Sequence, residues 1–459
     1  MKVVFIGGAG LRNLPIIREL LKLKKMDEKS EIALYDLAPE RADVIAAMAR
    51  KTPEWKDKQV RISVPHTLEE ALTDASYVYF AILQASKESR VLSGNACMEH
   101  DLLGYPDNLS IRGSVSAAWN IPIILNVARI MEKVAPEAWL IIFTNPVPLL
   151  VSAVHQASRI KAVGVCAGFA NHNYDLPRIM GWPEPDFGFE ADVAGVNHCS
   201  WILKCRYHGK DFFPMLDQRI KAGMDYAHIE PFRTSDPALH RHLMFVLPKM
   251  IESHEMFGGM LYSSEPDGLP HVCYYDECLE FQRSRPESLP TDATRAASTA
   301  EWQEFASFAE QKILPADFWS KDDRYWKGFK YPETAIGVRM IRGLSGETQE
   351  RLVASYPNRG AIRDVPEDLL MEYSMLVSGD GIRPAGKYSL PPAVRGMMRS
   401  LAEHQYLVAD ALCRGSRKDF MASMYAYPLL RSKQTADSLI QRLFEINADR
   451  IPDYLSGGK

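Results

Sequence analysis

Two groups of residues in this 459-residue chain have the types and spacing needed for chemistry on a small molecule. The first is a glycine cluster at positions 7, 8 and 10, followed by Asp36. Glycines at a strand-to-helix turn let the backbone approach a pyrophosphate, and a carboxylate ending the next strand binds the adenosine ribose. Because such a carboxylate disfavours the additional phosphate of NADP, the pattern predicts NAD as the cofactor. The residues expected to contact it are Gly7, Gly8, Gly10, Leu11, Asp36, Arg41 and Asn145.

The second group combines a thiol and an imidazole, Cys166 and His198, with two amide side chains, Asn145 and Asn197. A thiolate and an imidazole that converge on one site suit a divalent transition metal. On their own, one cysteine and one histidine at this separation are more often a buried cysteine and a hydrogen-bonded histidine. On these residues alone, the metal hypothesis is therefore the weaker of the two interpretations.

The elements that must position these residues alternate between strand and helix over the first third of the chain. Strands are predicted at residues 3–6, 32–35, 60–64, 77–83, 139–143 and 162–166. The main helices are predicted at residues 13–23, 38–49, 115–134 and 149–156. This alternation predicts an α/β fold, with a Rossmann-like, doubly wound parallel sheet over residues 1–170. Asn145 and Cys166 then lie at the carboxyl edge of the sheet, where ligands bind in open α/β folds.

The pattern changes in residues 171–459, which predict an α+β, mostly helical domain for substrate, metal and oligomerisation. Strands at 187–193 and 201–207 predict a small antiparallel unit, and short strands are expected within 351–395. Residues 393–412 and 420–444 predict long amphipathic helices. These helices favour a homo-oligomer, either a dimer or a tetramer.

Composition and charge exclude several classes of partner. The formal net charge is −4 and no block of Lys and Arg stands out, so neither nucleic acid nor an anionic membrane is expected. The seven cysteines are odd in number and scattered, which argues against a disulfide framework and a structural zinc site. The N-terminus reads directly into a strand, and no apolar run reaches the ~20 residues of a membrane span. We therefore expect a reduced, cytoplasmic protein.

Several motifs, taken in order, resemble those of glycoside hydrolase family 4, the NAD- and manganese-dependent glycosidases. They are MKVVFIGGAG at 1–10, FTNPVPLLVSAV at 143–154, GVCAG at 164–168, AGVNHCSWI at 194–202, YPNRGAI at 356–362, GIRP at 381–384 and YPL at 427–429. The resemblance covers nearly the whole chain, and the order of the motifs is more specific than any one of them.

The resemblance implies a role for each motif and a reaction. Cys166 and His198 are implied to bind the metal, while Asn145 contacts the sugar and Asn197 is a second polar contact. The implied route is oxidation at C3 of the sugar, loss of the acidified C2 proton, elimination at C1, addition of water and re-reduction. The family is an exception among glycosidases, which mostly use two carboxylates.

The chain departs from the family pattern at the proton-transfer positions. Members commonly carry His or Asp directly after the metal cysteine, whereas this chain has Ala167, so His172 becomes the candidate proton donor. Alignment with the family's C2 base places His271 at that position, with Asp267 as its rival and Tyr274 third. A histidine whose pKa is near its usual value of about 6.5 can act as a base at neutral pH.

Three further residues are candidates for substrate binding. Arg90 and Arg112 can grip an anionic sugar, because a guanidinium plane suits phosphate, sulfonate or carboxylate, although both equally fit ordinary surface arginines. Asp101 is expected to orient a sugar hydroxyl. The segment MFGGMLYSSE at 256–265 resembles the α-galactosidase and α-glucuronidase branch, which favours an α-linked glycoside as the partner.

Other functions stay open on the sequence alone. A lactate/malate-type dehydrogenase of a hydroxy acid or sugar would accumulate NADH and would not need Cys166. A catalytically silent NAD sensor is compatible with Ala167. Among glycosidases, the NAD-dependent sulfoquinovosidases are a related group whose sulfonate would occupy the anion pocket.

Overall fold

The computed structural model describes residues 1–104, 108–166, 168, 175–182, 188–224, 237–262, 268–315, 318–321 and 335–456. The strands are β1 (Lys2–Ile6), β2 (Glu31–Tyr35), β3 (Arg61–Ser63), β4 (Tyr77–Phe80), β5 (Trp139–Ile142), β6 (Lys161–Gly164), β7 (Phe189–Val196), β8 (Cys199–Tyr207), β9 (Lys210–Asp211), β10 (Met260–Tyr262), β11 (Glu350–Pro357), β12 (Leu370–Ser378) and β13 (Gly381–Pro384).

Helices cover much of the rest of the described chain. They are α1 (Asn13–Leu21), α2 (Pro39–Ala49), α3 (Pro53–Lys58), α4 (Leu68–Leu72), α5 (Lys87–Glu99), α6 (Ile111–Val134), α7 (Val147–Ala157), α8 (Asp175–Met180), α9 (Phe212–Lys221), α10 (Pro237–Phe257), α11 (Tyr275–Arg283), α12 (Asp292–Glu310), α13 (Phe318–Lys321), α14 (Ile336–Leu344), α15 (Pro392–Cys413), α16 (Arg417–Tyr425), α17 (Lys433–Ile446) and α18 (Asp453–Ser456). A short 3-10 turn spans Leu269–His271.

The N-terminal half of the sheet confirms the predicted Rossmann-like fold. Its strands follow the order β3-β2-β1-β4-β5-β6 and are all parallel. The strand order reverses between β1 and β4, which is where open α/β sheets bind their ligands. All four residues of β4 are buried, as expected for a parallel strand covered by helices on both faces.

The antiparallel strands are not the separate unit that the sequence suggested. They extend the parallel sheet in the order β6-β11-β12-β7-β8-β10, so that strands from both halves of the chain share one sheet. The junction is the pair Gly164 and Ser355, and a Cβ on Gly164 would lie 2.4 Å from Cγ1 of Val147. Glycine is therefore required where helix α7 packs on the junction. A domain boundary at residue 170 stays a prediction.

The C-terminal helices differ from the prediction in one respect. The single helix expected over residues 420–444 is wrong, because the chain breaks it into α16 and α17. Pro428 lies in the break, where its ring and missing N–H oppose continued helix. Helix α17 then restarts from Ser432, whose side chain accepts a hydrogen bond from the backbone N–H of Thr435.

The apolar faces of the long helices pack within the chain. Helix α15 buries Val394, Met398 and Leu401 and contacts α6 and α7. Among the described residues, α6 is the one helix long and apolar enough to cross a membrane, and 61% of that apolar window is buried in the fold. It therefore serves as a core helix. Since the face of α15 is already covered, it gives no further support to an oligomer.

Candidate active site

The glycine loop connects β1 to α1 at the carboxyl edge of the parallel strands. Gly7 has a φ of 91°, and a Cβ there would lie 2.2 Å from the carbonyl oxygen of Ala81. A Cβ on Gly8 would lie 2.8 Å from the carbonyl carbon of Leu34. Both positions require glycine for the loop to pack against β4 and β2. At Gly10 the nearest atom to an added Cβ is 3.5 Å away, which leaves space above the loop.

Asp36 ends β2 and faces this loop. Its Oδ2 accepts a hydrogen bond of 3.0 Å from the N–H of Ala9, and its Oδ1 accepts one of 3.0 Å from Ala38. The carboxylate is thereby fixed, while lone pairs stay available for further donors. Leu37 and Leu83, at the ends of β2 and β4, are 84% and 71% exposed. A fixed acceptor near exposed apolar side chains fits the ribose and adenine of NAD.

Arg41 lies on α2, close in sequence to Asp36. Its guanidinium carbon is 3.9 Å from the centre of the Trp302 ring on α12, a cation–π contact. Lys51, at the other end of α2, donates a hydrogen bond of 2.8 Å to the carbonyl of Phe308. Helix α12 is therefore tied to the dinucleotide-binding half at both ends of α2. Leu11, after the glycine loop, is half-buried.

Asn145 lies just beyond β5 with an exposed side chain. Its Oδ1 accepts a hydrogen bond of 3.3 Å from Asn108 Nδ2, and its backbone carbonyl accepts one of 3.2 Å from Asn120. Thr144 Oγ1 accepts a bond of 2.7 Å from the N–H of Ile82, which joins the ends of β4 and β5. The Asn145 amide is thus held at the edge of the sheet with its NH₂ group turned away from Asn108.

Cys166 and His198, the predicted metal ligands, lie together. The Cys166 Sγ is 3.4 Å from the His198 Nε2. Cys166 follows the end of β6, while His198 is in the two-residue turn between β7 and β8 and has a φ of 68°. A left-handed φ is strained for a residue other than glycine, so the position of the imidazole requires backbone strain in the turn.

This pair fits a divalent cation. With metal–ligand distances of about 2.0–2.3 Å and angles of about 90–109°, two donors of one ion lie about 3.1–3.6 Å apart. Among the described residues, no group of three or more His, Cys, Asp or Glu side chains forms a ready-made metal site. Two protein ligands would leave positions open for substrate or water, which is the arrangement of catalytic rather than structural metals.

Four polar residues lie around the pair, namely Asn197, Ser200, Glu372 and Tyr262, and only Asn197 was predicted from the sequence. Asn197 donates from Nδ2 to Glu372 Oε2 at 2.6 Å, and Ser200 Oγ donates to Glu372 Oε1 at 2.8 Å. A Cβ on Gly168 would lie 3.3 Å from Cys166 Sγ and 3.7 Å from the Tyr262 hydroxyl oxygen. Glu372 and Tyr262 were missed because their strands, β12 and β10, meet the hairpin only in the folded sheet.

Of the four residues predicted to transfer protons, the structure describes two, His271 and Tyr274. His271 is buried, with its Nε2 3.2 Å from the Tyr427 hydroxyl, and its turn is joined to the hairpin because Cys199 Sγ donates to the Gly268 carbonyl at 3.6 Å. Tyr274 donates a hydrogen bond of 2.9 Å to Glu252, and burial and that bond raise the pKa of Tyr274. A tyrosine with a raised pKa stays protonated at neutral pH, so little of it is in the phenolate form that could accept a proton. Asp267 and His172 lie outside the described residues, as does Ala167.

The predicted substrate residues outside this cluster lie on or near α5. Arg90 is on α5, and no described residue accepts a hydrogen bond from its buried Nε. Arg112 donates a bond of 2.9 Å from Nη1 to the Gly104 carbonyl, and that Nη1 would lie 3.6 Å from a Cβ on Gly94. Arg90 therefore belongs to α5, and Arg112 packs against the same helix at Gly94.

Asp101, the third of these predictions, is exposed, and Arg283 forms an ion pair with its carboxylate. Its backbone carbonyl also accepts a hydrogen bond of 2.6 Å from the Tyr275 hydroxyl. With the carboxylate already paired, a role in orienting a sugar stays a prediction with little structural support.

Comparisons with known proteins match the whole length of this fold. The family 4 glycosyl hydrolase sequence model matches residues 2–181, and the model of the family 4 glycosyl hydrolase C-terminal domain matches residues 193–430. The alpha-galactosidase of Bacillus subtilis is 22% identical over 99% of this chain and 99% of its own. The alpha-galacturonidase of Lachnoclostridium phytofermentans is 23% identical over 99% of this chain and 97% of its own.

A solved structure shows the same fold. The 6-phospho-beta glucosidase from Thermotoga maritima, solved with manganese, NAD+ and glucose-6-phosphate, superimposes with a TM-score of 0.75 at 17% identity. The match covers 98% of this chain and 99% of that one. Fold and family matches together define the chain as a glycosidase with a Rossmann-like domain. It belongs to the family 4 glycosyl hydrolases, which confirms the resemblance found in the sequence motifs.

Proposed function

We propose that this protein is an NAD- and divalent-metal-dependent glycosidase that acts on an α-linked glycoside, preferably one with an anionic sugar. The observation that carries the proposal is the 3.4 Å separation between Cys166 Sγ and His198 Nε2. Cys166 follows β6, which belongs to the same parallel sheet as β1, the strand that leads into the glycine loop. Support for the substrate class comes from relatives named for galactosides and galacturonides.

Bound NAD would supply a reversible hydride acceptor at C3 of the sugar, and a bound divalent metal would supply Lewis acidity toward sugar oxygens. The chain's own residues hold and orient these groups. Asp36 and the glycine loop bind the adenosine and pyrophosphate, and Cys166 and His198 hold the metal. Asn145 and Asn197 orient sugar hydroxyls. The proposed sequence of reactions is C3 oxidation, elimination across C1 and C2, addition of water and re-reduction.

Removal of the C2 proton requires a base near the metal ligands, and two described residues are candidates. His271, the sequence prediction, is on a turn hydrogen-bonded to the residue after His198. A Cβ on Gly168 would lie 3.3 Å from Cys166 Sγ and 3.7 Å from the Tyr262 hydroxyl oxygen, so these two atoms border the same small space. We favour Tyr262, because a divalent cation stabilises a nearby phenolate. His172 stays the proposed proton donor.

The function is tested with the purified protein, NAD⁺, Mn²⁺ and a reducing agent. Substrates are nitrophenyl α- and β-glycosides, including uronides, 6-phosphoglycosides and sulfoquinovosides. The proposal expects release of the aglycone without net NADH, and incorporation of solvent deuterium at C2. Steady accumulation of NADH without bond cleavage would instead indicate a hydroxy-acid or sugar dehydrogenase. Binding of NAD with neither reaction would indicate a sensor.

The base is identified by the same deuterium exchange in two variants. Tyr262→Phe is expected to lose exchange at C2 while its affinity for Mn²⁺ is kept, whereas His271→Asn keeps exchange. The opposite pair of results would assign the base to His271.

We further propose that the enzyme works as a homo-oligomer, a dimer or tetramer, in the reducing cytoplasm. The free cysteines among the described residues fit a reducing compartment. Light scattering coupled to size-exclusion chromatography gives the oligomeric state, and a monomer at micromolar concentration would contradict it.

A further inference from the structure

Glu372 lies in the row of paired residues that connects the two metal-binding segments. In the register of the sheet, Gly164 of β6 pairs with Ser355 of β11, which pairs with Glu372 of β12. Glu372 in turn pairs with Gly195 of β7. Strand β6 leads to Cys166, and β7 leads to the turn that contains His198. Glu372 is therefore placed by backbone pairing between the strands that deliver both ligands.

The Glu372 side chain is buried, with 4% of its surface exposed. Its two carboxylate oxygens accept hydrogen bonds of 2.6 Å from Asn197 and 2.8 Å from Ser200. Both donors are neutral. Burying a carboxylate is costly unless its charge is compensated, and a nearby divalent cation is one form of such compensation.

A second buried glutamate in the same sheet shows how a purely structural carboxylate is compensated. Glu350, on β11, forms ion pairs with Arg339 at 3.0 Å and Arg342 at 2.6 Å. Those two arginines lower the pKa of Glu350 against the opposing effect of burial. Glu350 therefore provides a reference for a buried carboxylate on a neighbouring strand, away from the Asn197 and Ser200 donors of Glu372.

The bond to Glu372 also fixes the orientation of Asn197. Because a carboxylate only accepts hydrogen bonds, Asn197 must present its NH₂ group to Glu372 and turn its Oδ1 the other way. Asn197 is 2% exposed, and none of the residues that the structure describes donates a hydrogen bond to this Oδ1. A buried carbonyl oxygen without a donor, one residue from His198, is suited to a ligand group.

We propose that Glu372 is a positioning residue for the metal and sugar site. Its buried negative charge stabilises the divalent cation held by Cys166 and His198, since a single thiolate neutralises only half of that cation's charge. Its hydrogen bond keeps Asn197 Oδ1 turned toward the ligand. Groups behind the direct ligands commonly tune metal affinity by 10–100-fold. The inference rests on the proposed metal site at Cys166 and His198.

The decisive variant is Glu372→Gln, which removes the charge and preserves the shape. The glutamine carbonyl can accept from Asn197, and its amide can donate to Ser200, whose hydroxyl already lies 3.0 Å from the Val196 carbonyl. Mn²⁺ binding is measured by titration calorimetry and thermal unfolding is measured on the metal-free protein. We expect the Kd for Mn²⁺ to rise at least tenfold, while the Tm of the metal-free protein is unchanged or higher.

A merely structural role predicts the opposite, namely a lower Tm without metal and an unchanged Kd, and that result would overturn the inference. Glu350→Gln is the matched control, because it removes a buried carboxylate from a neighbouring strand. It is expected to lower the Tm and leave the Kd for Mn²⁺ within about twofold, since its arginines lose their partner.

Two further sets of variants keep the test decisive if the glutamine variant fails to fold or if the metal site itself is wrong. Glu372→Asp and Glu372→Asn differ in charge and share a shape, so tighter Mn²⁺ binding by the aspartate repeats the test if the glutamine variant fails to fold. Cys166→Ser separates this inference from the proposed function. If Cys166→Ser loses Mn²⁺ binding but Glu372→Gln keeps it, the metal site stands and the role of Glu372 is wrong. If the wild type and Cys166→Ser bind equally, both are wrong.

Discussion

The Sγ of Cys166 lies 3.4 Å from the Nε2 of His198, although two strands separate β6 from β7 in the sheet. The contact depends on the chain beyond β6, which leaves the sheet after Gly164, and on the two-residue turn that projects His198. The thiol and the imidazole are therefore brought into contact because the parallel and antiparallel strands join in one sheet.

The first prediction concerns this pair. Cys166→Ser and His198→Ala each remove a metal ligand, so we expect at least a 100-fold loss of activity and a large loss of Mn²⁺ affinity, measured by calorimetry. A chelator should abolish wild-type activity, and added Mn²⁺ should restore it. Cys273→Ser is the control, because Cys273 is an exposed thiol, and it should retain full activity. Retained metal-dependent activity in Cys166→Ser would remove Cys166 from the site.

The second prediction follows from the left-handed φ of 68° at His198. Glycine adopts this conformation without steric cost, whereas alanine does not, so His198→Gly should be more stable than His198→Ala by about 1 kcal/mol. Both should lose Mn²⁺ binding equally. Urea unfolding in the presence of a chelator measures the difference. Equal stabilities of the two variants would mean that the turn relaxes and stores no strain at this residue.

The sequence predicted the parallel half of the sheet and its motifs better than the antiparallel half. Hydrophobic periodicity and glycine positions are enough to predict the fold where a strand, a glycine turn and a helix follow one another in the sequence, as from Lys2 to Leu21. Glu372 and Tyr262 carry no local signal, because their relation to His198 depends on pairing between strands far apart in the sequence. The break at Pro428 was visible in the sequence, and the error lay in extending amphipathic periodicity through a proline.

The third prediction tests the cofactor site at Asp36. Asp36→Asn keeps one acceptor for the N–H groups of Ala9 and Ala38 and removes the charged acceptor for the ribose. Hydrogen bonds to charged groups contribute about 1.5–3 kcal/mol, so NAD affinity should fall roughly 10- to 150-fold. The preference for NAD over NADP should fall as well. Calorimetric titration with each dinucleotide measures both.

Asp43→Asn is the control for this experiment, because Asp43 is an exposed carboxylate on α2, the helix that follows Asp36. It should leave both affinities unchanged. An unaltered NAD affinity in Asp36→Asn would show that the ribose hydroxyls bind elsewhere.

The fourth prediction addresses the anionic sugar. The buried Nε of Arg90 has no acceptor among the described residues, so a carboxylate, sulfonate or phosphate on the substrate would satisfy it. Arg90→Gln should raise the KM for anionic glycosides by roughly 10-fold or more and leave kcat largely unchanged. The neutral glycoside with the same leaving group is the internal control. A proportional rise in KM for both would argue against an anion contact.

The fifth prediction concerns acid stability and His404. Burial lowers the pKa of His404 to about 4, and the ring is held neutral with Nδ1 2.8 Å from the Ser423 carbonyl and Nε2 3.0 Å from Ser114 Oγ. Between pH 4 and the usual pKa near 6.5 the unfolded chain therefore binds a proton that the folded protein does not. The stabilisation is complete above pH 6.5 and is lost as the pH falls toward 4, amounting to about 3 kcal/mol.

His404→Asn keeps a donor for Ser423 and cannot titrate. Its free energy of unfolding should therefore depend less steeply on pH between 4.5 and 6.5, by up to about 1.4 kcal/mol per pH unit. Urea unfolding at several pH values measures the slope, which is informative even if the variant is less stable throughout. Burial also lowers the pKa of His155, so part of the pH dependence of the unfolding free energy should remain in the His404→Asn variant. The exposed His66→Asn is the control, and an equal slope in it and in His404→Asn would show that His404 is protonated in the folded protein.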